Sequence, residues 1–282
     1  MSFVHFFAGT SVGVLIGLLL VFVYVLLFEE DSTCYLRHEH VLEGEWFIPK
    51  VIMQTHYDFE TVPSKVAAQF ENLAIGFERV LYDDEAAVGF ITKHFPNDVA
   101  ELFRGFSTGA FKADLFRYCY LYVEGGIYLD IKTELVLPLQ QIYDDLRSLG
   151  TPMATCLTAK SPAAIHSRNW PCVYQGVIFA RPKHPIFLEC IEYMKSYPWR
   201  GKLDYLAFCR NFTKRLHERG MAQPGTYPRE GWTLWSEKVS LSTEACRGER
   251  GKWGVCSVIT SQSAGEKLFI TRFSDFPWGK RT

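Results

Sequence analysis

From Gly109 to Glu124 apolar side chains return at helical spacing, with Phe111, Leu115, Cys119 and Tyr122 on one face, and the pattern stops at Gly125-Gly126. A short apolar run, Ile127-Tyr128-Leu129, follows and ends on Asp130, with Lys132 two places on. A glycine just past the last helical turn takes the left-handed conformation without steric cost. The pair therefore predicts a helix that turns at once into a buried strand carrying a carboxylate at its tip.

The rest of the chain gives that strand its neighbours. Val51-Ile52-Met53, after Pro49 and Lys50, is a run of apolar and β-branched residues suited to a first buried strand. A helix is predicted from Ser64, a good N-cap, with Val66, Phe70 and Leu73 at helical spacing. Glu78 to Tyr82 reads as a second strand, and EAAVGFITKHF and NDVAELFRGF as two more helices. Downstream, PLQQIYDDLRS reads as helix, MATCLTA and VYQGVIFA as strands, and HPIFLECIEYMKSY and KLDYLAFCRNFTKRLHERG as helices. After Gly220 the periodicity fades until KLFIT. Alternating strands and helices imply an α/β domain whose mostly parallel sheet is covered on both faces. Ligands of such sheets bind outside the carboxyl ends of the strands, where Asp130 is expected.

The 282 residues suit one such domain with appendages, expected as an anchor at 1–28, a stem at 29–48 and the domain at 49–282. Phe3 to Phe28 contains no Asp, Glu, Lys or Arg, and it exceeds the roughly 20 apolar residues that cross a bilayer as a helix. A cleaved signal peptide would have a basic start and an apolar stretch of about 7–15 residues, so an uncleaved transmembrane helix is expected. The sequon at Asn211-Phe212-Thr213 and the eight cysteines, with Cys246 and Cys256 close enough to pair, lean toward a lumenal domain behind a cytosolic N-terminus. The net charge of −1 argues against nucleic acid as a partner.

IPKVIMQTH, together with KADLFRYCYLYVEGGIYLDIKTEL, resembles the glycosyltransferases with a sugar-binding DXD region, which include initiating α-1,6-mannosyltransferases and enzymes of capsular polysaccharide synthesis. Their motif, D-x-x-R-x-x-x-L-x-x-x-G-G-x-Y-x-D, is filled at every fixed position by Asp114, Arg117, Leu121, Gly125, Gly126, Tyr128 and Asp130. The resemblance implies a GT-A fold, a Rossmann-like nucleotide half followed by an acceptor-recognising half. It implies a UDP- or GDP-linked sugar as donor, a glycan or glycolipid as acceptor, and Mn²⁺ or Mg²⁺ as Lewis acid on the diphosphate. Asp130 would then hold the metal and contact the ribose, Asp114 and Arg117 would grip hydroxyls of the donor sugar, and Val51 and Gln54 would lie near the base. The resemblance also implies retention of anomeric configuration and a Golgi location, which with the anchor and orientation expected above makes a single-pass type II protein.

One position departs from the pattern, since Lys132 stands where the second acid of DXD belongs. Glu134 supplies that carboxylate if the strand continues, Asp275 does if the C-terminal segment reaches back, or Lys132 itself neutralises the diphosphate. Ser274 and Trp278 are candidates to close over the diphosphate, and Trp232 and Trp235 to stack on an acceptor sugar. The plain alternatives are an i,i+3 surface ion pair at Asp114 and Arg117, a structural His56, and tryptophans in the core. Two rival functions also stand: a nucleotide-sugar-binding protein that lost catalysis with the second acid, and a phosphatase of the haloacid-dehalogenase type. The latter needs a second aspartate, and its motif opens the domain rather than following two strands.

Overall fold

Strand β1, Val51–Thr55, forms where the sequence places it and is buried through its centre because it lies between two parallel partners. The computed structural model describes residues 47–62, 64–158, 172–198, 204, 206–240, 256–262 and 265–272. The expected membrane anchor, most of the stem, and Cys246, Ser274, Asp275 and Trp278 lie outside these residues. Ile48, assigned to the end of the stem, is fully buried, and its carbonyl accepts the Tyr143 hydroxyl at 2.8 Å, so the domain includes it.

After β1 come helix α1 (Ser64–Leu73), strand β2 (Glu78–Tyr82), and helices α2 (Asp84–His94), α3 (Asn97–Gly105) and α4 (Gly109–Val123). Strand β3 (Gly126–Leu129) returns to pair with β1. The helix read as one-faced is buried around most of its surface: Phe111, Leu115, Phe116, Tyr118, Cys119, Tyr120 and Leu121 are all inside, as are Asp114 and Arg117. A helix surrounded by protein in this way is core, not a surface stripe.

The glycine pair does the work expected of it. Gly125 and Gly126 have φ of 68° and 95°. A Cβ at Gly126 would lie 2.7 Å from the Val51 carbonyl oxygen, and one at Gly125 would lie 2.7 Å from the Pro182 nitrogen. Both obstacles are backbone and cannot rotate away. Gly126→Ala is therefore expected to cost at least about 1–3 kcal/mol, read as a lowered urea midpoint, whereas an alanine at Gly89, where nothing lies within 4 Å, should not.

Strand β4 (Thr133–Leu135) and helix α5 (Leu139–Ser148) follow, then β5 (Met153–Thr158), β6 (Val173–Ala180), α6 (Pro185–Ser196) and α7 (Ala207–Glu218). Strands β7 (Gly225–Tyr227), β8 (Trp232–Ser240), β9 (Cys256–Thr260) and β10 (Lys267–Arg272) occupy the stretch where periodicity faded. The sheet runs β2-β1-β3-β6-β5-β8-β9-β10-β4, with β7 on β8. It is mixed, which corrects the expectation of a mostly parallel sheet. Pairs β1/β2, β1/β3 and β5/β8 are parallel, while β3/β6, β5/β6, β8/β9, β9/β10 and β10/β4 are antiparallel.

These directions leave β1, β2, β3, β5, β8 and β10 pointing the same way, so their carboxyl ends share one edge. The sheet also curls. Only Asp130, Ile131 and Lys132 separate β3 from β4, which reach about 10 Å at most, yet β4 pairs with β10 at the far end of the strand order. Side chains of strands distant in that order therefore meet on the enclosed face. Phe179 of β6, Trp235 of β8 and Phe269 of β10 pack with ring centroids 5.3 to 6.2 Å apart. Trp232 and Trp235 are 1 % and 4 % exposed, so they are core rather than platforms for an acceptor sugar.

Candidate active site

Asp130 follows the last residue of β3 and is fixed there by backbone on both sides. Its amide donates to the Gly176 carbonyl at 2.8 Å, and its own carbonyl accepts the Thr133 amide at 2.8 Å, closing the turn into β4. The side chain is 21 % exposed and accepts the Tyr128 hydroxyl at 2.7 Å. Arg117, one turn after Asp114 on α4, reaches Asp114 at 3.0 Å and Asp130 at 3.7 Å with the same terminal nitrogen. Its other two nitrogens are engaged as well: Nε bonds the Ala113 carbonyl at 3.0 Å and Nη1 the Gln175 carbonyl at 2.6 Å. The guanidinium lies over the Tyr128 ring, 4.4 Å from its centroid. At 8 % and 5 % exposure, Asp114 and Arg117 are not the surface ion pair of the plain alternative.

The two acids respond oppositely to this setting. Burial opposes the charge on both. At Asp130 the Arg117 and Lys132 cations and the Tyr128 and Tyr174 hydroxyls outweigh burial and hold its pKa below the usual carboxylate value. At Asp114 burial wins over Arg117, with repulsion from Asp130 adding to it, and the pKa rises to about 6. A raised acid pKa means that the folded protein holds this proton more tightly than the unfolded chain does. Asp114 therefore contributes stability that is fully present below about pH 4 and is lost as pH rises through about 6. Asp114→Asn removes that dependence. Between pH 4 and 6.5 the unfolding free energy of the variant is expected to gain on the wild type by up to about 3 kcal/mol, measured by urea titration at both pH values.

The remaining expected site residues divide by exposure. Gln54, expected near the base, is fully buried. Its amide nitrogen reaches the Leu129 and Asp130 carbonyls at 3.3 and 3.5 Å, and its oxygen accepts Arg79 Nε at 2.8 Å. Tyr128 is 1 % exposed, and its hydroxyl is bonded to Asp130. Gly125 and Gly126 are buried and shape the turn. Val51 is half-buried at the start of β1, the end of the sheet away from Asp130. Lys132 is half-buried in the turn beside Asp130. Glu134 loses its premise, because the strand does not continue past Asp130. On β4 it alternates with Thr133 and Leu135, which face the enclosed interior, and so lies on the opposite face. His56 closes the loop after β1, its Nδ1 taking the Asp58 amide at 3.2 Å. The sequon asparagine, Asn211, is 6 % exposed on α7, so the sequon no longer supports a lumenal domain. Cys256 is in a disulfide whose partner lies outside the described residues, while Cys119, Cys156, Cys172, Cys190 and Cys209 are free thiols.

The curl brings in residues that the motif does not contain. Tyr174 of β6 bonds Thr271 of β10 at 2.8 Å, close to Asp130. Glu237 of β8, 3 % exposed, accepts Thr158 Oγ1 and Ser257 Oγ at 2.5 Å each. Gln175 accepts the Tyr118 hydroxyl and donates to Cys209 Sγ at 3.0 Å, and its carbonyl holds Arg117. The signal for Gln175 was present as a polar residue inside the apolar run VYQGVIFA. Glu237 gives none, because Trp232–Ser240 shows no clear strand period.

An α/β domain whose curled mixed sheet delivers one ionised carboxylate to the shared carboxyl edge, next to a buried Asp–Arg pair, presents acceptors for the hydroxyls of a polyhydroxylated ligand. Residues 52–149 match the family described as the glycosyltransferase sugar-binding region containing DXD motif. The chain is 29 % identical over 144 residues to an uncharacterized glycosyltransferase of Acanthamoeba polyphaga mimivirus, covering 50 % of this chain and 53 % of that protein. It is 28 % identical to a mannosyl phosphorylinositol ceramide synthase of Saccharomyces cerevisiae, over 56 % of this chain and 38 % of the other. It is 26 % identical to the initiation-specific alpha-1,6-mannosyltransferase of Schizosaccharomyces pombe, over 54 % and 41 %. The match thus spans about half or less of these relatives. Among solved structures, the PaToxG glycosyltransferase aligns with a TM-score of 0.39 and 14 % identity over 61 % of this chain and 70 % of that one.

Proposed function

We propose that this protein is a glycosyltransferase of GT-A type that moves a hexose from a UDP- or GDP-linked donor to a glycan or glycolipid acceptor. The observation that carries the reading is the Asp114–Arg117–Asp130 constellation at the carboxyl edge, inside the segment that matches the sugar-binding family. In this reading the Asp114 carboxylate, oriented by Arg117, accepts donor-sugar hydroxyls, and Asp130 meets the ribose and diphosphate end of the donor. Transfer breaks the bond from the anomeric carbon to the diphosphate oxygen, which keeps the electron pair. The acceptor oxygen forms the new bond and releases its proton to solvent. The names of the yeast relatives favour mannose, and family analogy favours retention. The apolar run Phe3–Phe28 would anchor the chain as a single-pass type II protein with its domain in the Golgi lumen.

The family resemblance also implied Mn²⁺ or Mg²⁺, and among the described residues the donor set does not fit one held by protein carboxylates, while Asp275 lies outside those residues. Asp130 already takes Tyr128 and Arg117, a lysine follows at the second position of the motif, and Glu134 faces away. Among the described residues no three His, Cys, Asp or Glu side chains gather as a metal site.

The test is release of UDP or GDP by the full-length protein in detergent, across a panel of UDP- and GDP-hexoses with mixed glycan and glycolipid acceptors. At least one donor should be turned over, and the anomeric configuration of its product follows from NMR. Donor binding by calorimetry without any turnover would favour the rival, a nucleotide-sugar-binding protein, which the missing second acid makes specific.

A further inference from the structure

The geometry points to Lys132 as the cation that meets the donor diphosphate, an ammonium built into the β3–β4 turn at the position where the motif otherwise places its second metal-binding acid. This rests on the donor-site reading above and deepens it.

Three observations carry it. First, the turn fixes Lys132 at the shared carboxyl edge. Thr133 pairs with Thr271 on β10, and Thr271 pairs with Ser257 on β9, so the turn begins a polar row across the enclosed face. That row ends at Glu237, which the Ser257 hydroxyl bonds. The half-buried Lys132 follows Asp130 in this turn, and its charge is felt by both Asp130 and Glu237.

Second, both carboxylates respond to this lysine. Its charge helps to keep Asp130 ionised, and it counters the burial that raises the Glu237 pKa. Burying a carboxylate costs several kcal/mol unless charge or hydrogen bonds compensate it, and Glu237 has both. Third, the chemistry asks for positive charge here. Negative charge grows on the departing diphosphate. The neighbouring guanidinium of Arg117 is spent on Asp114, Asp130 and two carbonyls. A lysine ammonium is a compact charge with three donors on a flexible stem, suited to phosphate oxygens.

Calorimetry of the full-length protein with UDP and with GDP, in EDTA and again in Mn²⁺, tests the assignment. Wild type should bind one of them with affinity unchanged within about twofold between EDTA and Mn²⁺. Lys132→Ala should bind at least about tenfold more weakly in both, the worth of a charge-assisted hydrogen bond, while Lys132→Arg should retain most of the affinity. Lys132→Asp restores a two-acid motif and should bind only in Mn²⁺. Equal melting temperatures would show that the variants differ at the site and not in folding. Wild-type binding that needs Mn²⁺, or an alanine variant that binds like wild type, would overturn the inference and leave the donor site standing. Binding of neither nucleotide under either condition would overturn the donor-site reading, and the inference with it.

Discussion

Replacing Asp130 with asparagine is expected to slow nucleoside-diphosphate release by about 10²–10³-fold, the usual loss when one electrostatic group of a preorganised site is removed. The protein should stay folded. The side chain is partly exposed, and asparagine keeps an oxygen for the Tyr128 hydroxyl that Asp130 accepts at 2.7 Å. Arg117 is not left unpaired, because its closer partner is Asp114 at 3.0 Å. Charge is what the variant lacks, so rate and melting temperature should part company. A rate loss with an unchanged melting curve is the expected pair of results. Unaltered release would remove Asp130 from the chemistry.

Arg117→Met is expected to act the other way, through the fold. Arg117 is 5 % exposed and joins Asp114, Asp130 and the carbonyls of Ala113 and Gln175. Burial opposes its charge, but Tyr128, Asp114 and Asp130 more than offset that and keep it protonated. Methionine fills much of the volume and leaves Asp114 buried without its cation. Breaking a buried pair by removing one partner costs about 3–5 kcal/mol, which for a domain of this size lowers the melting temperature by roughly 6–20 °C. Lysine should not rescue it, since one ammonium cannot replace a planar fork serving four acceptors. The double variant Arg117→Met with Asp114→Leu, which removes both charges, should recover part of the loss. A single variant that melts like wild type would show that the pair contributes nothing to stability.

These two residues also show what was legible in the sequence. Asp114, Arg117 and Asp130 stand at motif positions, and local rules are enough to place them. Helical spacing puts the first pair on one turn, and the glycines send the next strand back alongside β1. The structure brings the three together as the sequence reading required. Sheet direction was not legible. β5 and β6 pair antiparallel, and their strand patterns look the same either way, because both are buried on two faces. The far wall was hidden for a different reason. Trp232–Ser240 carries Glu237 among alternating residues, but the alternation is broken by two tryptophans and a threonine that are all buried. Periodicity cannot reveal a strand whose both faces are covered at one end. Gln54 of β1 and Tyr128 of the motif are both buried and both bond Asp130, Gln54 at its carbonyl and Tyr128 at its carboxylate. Pattern alone does not distinguish a residue that touches a ligand from one that holds the residue that does.

The most direct measurement is a structure of the full-length protein with the nucleotide sugar it turns over. The account predicts donor-sugar hydroxyls on the Asp114 carboxylate and the ribose and diphosphate beside Asp130 and Lys132, at the carboxyl edge of β3. A donor seated elsewhere, with the Asp130 side chain out of hydrogen-bond reach of it, would contradict the account.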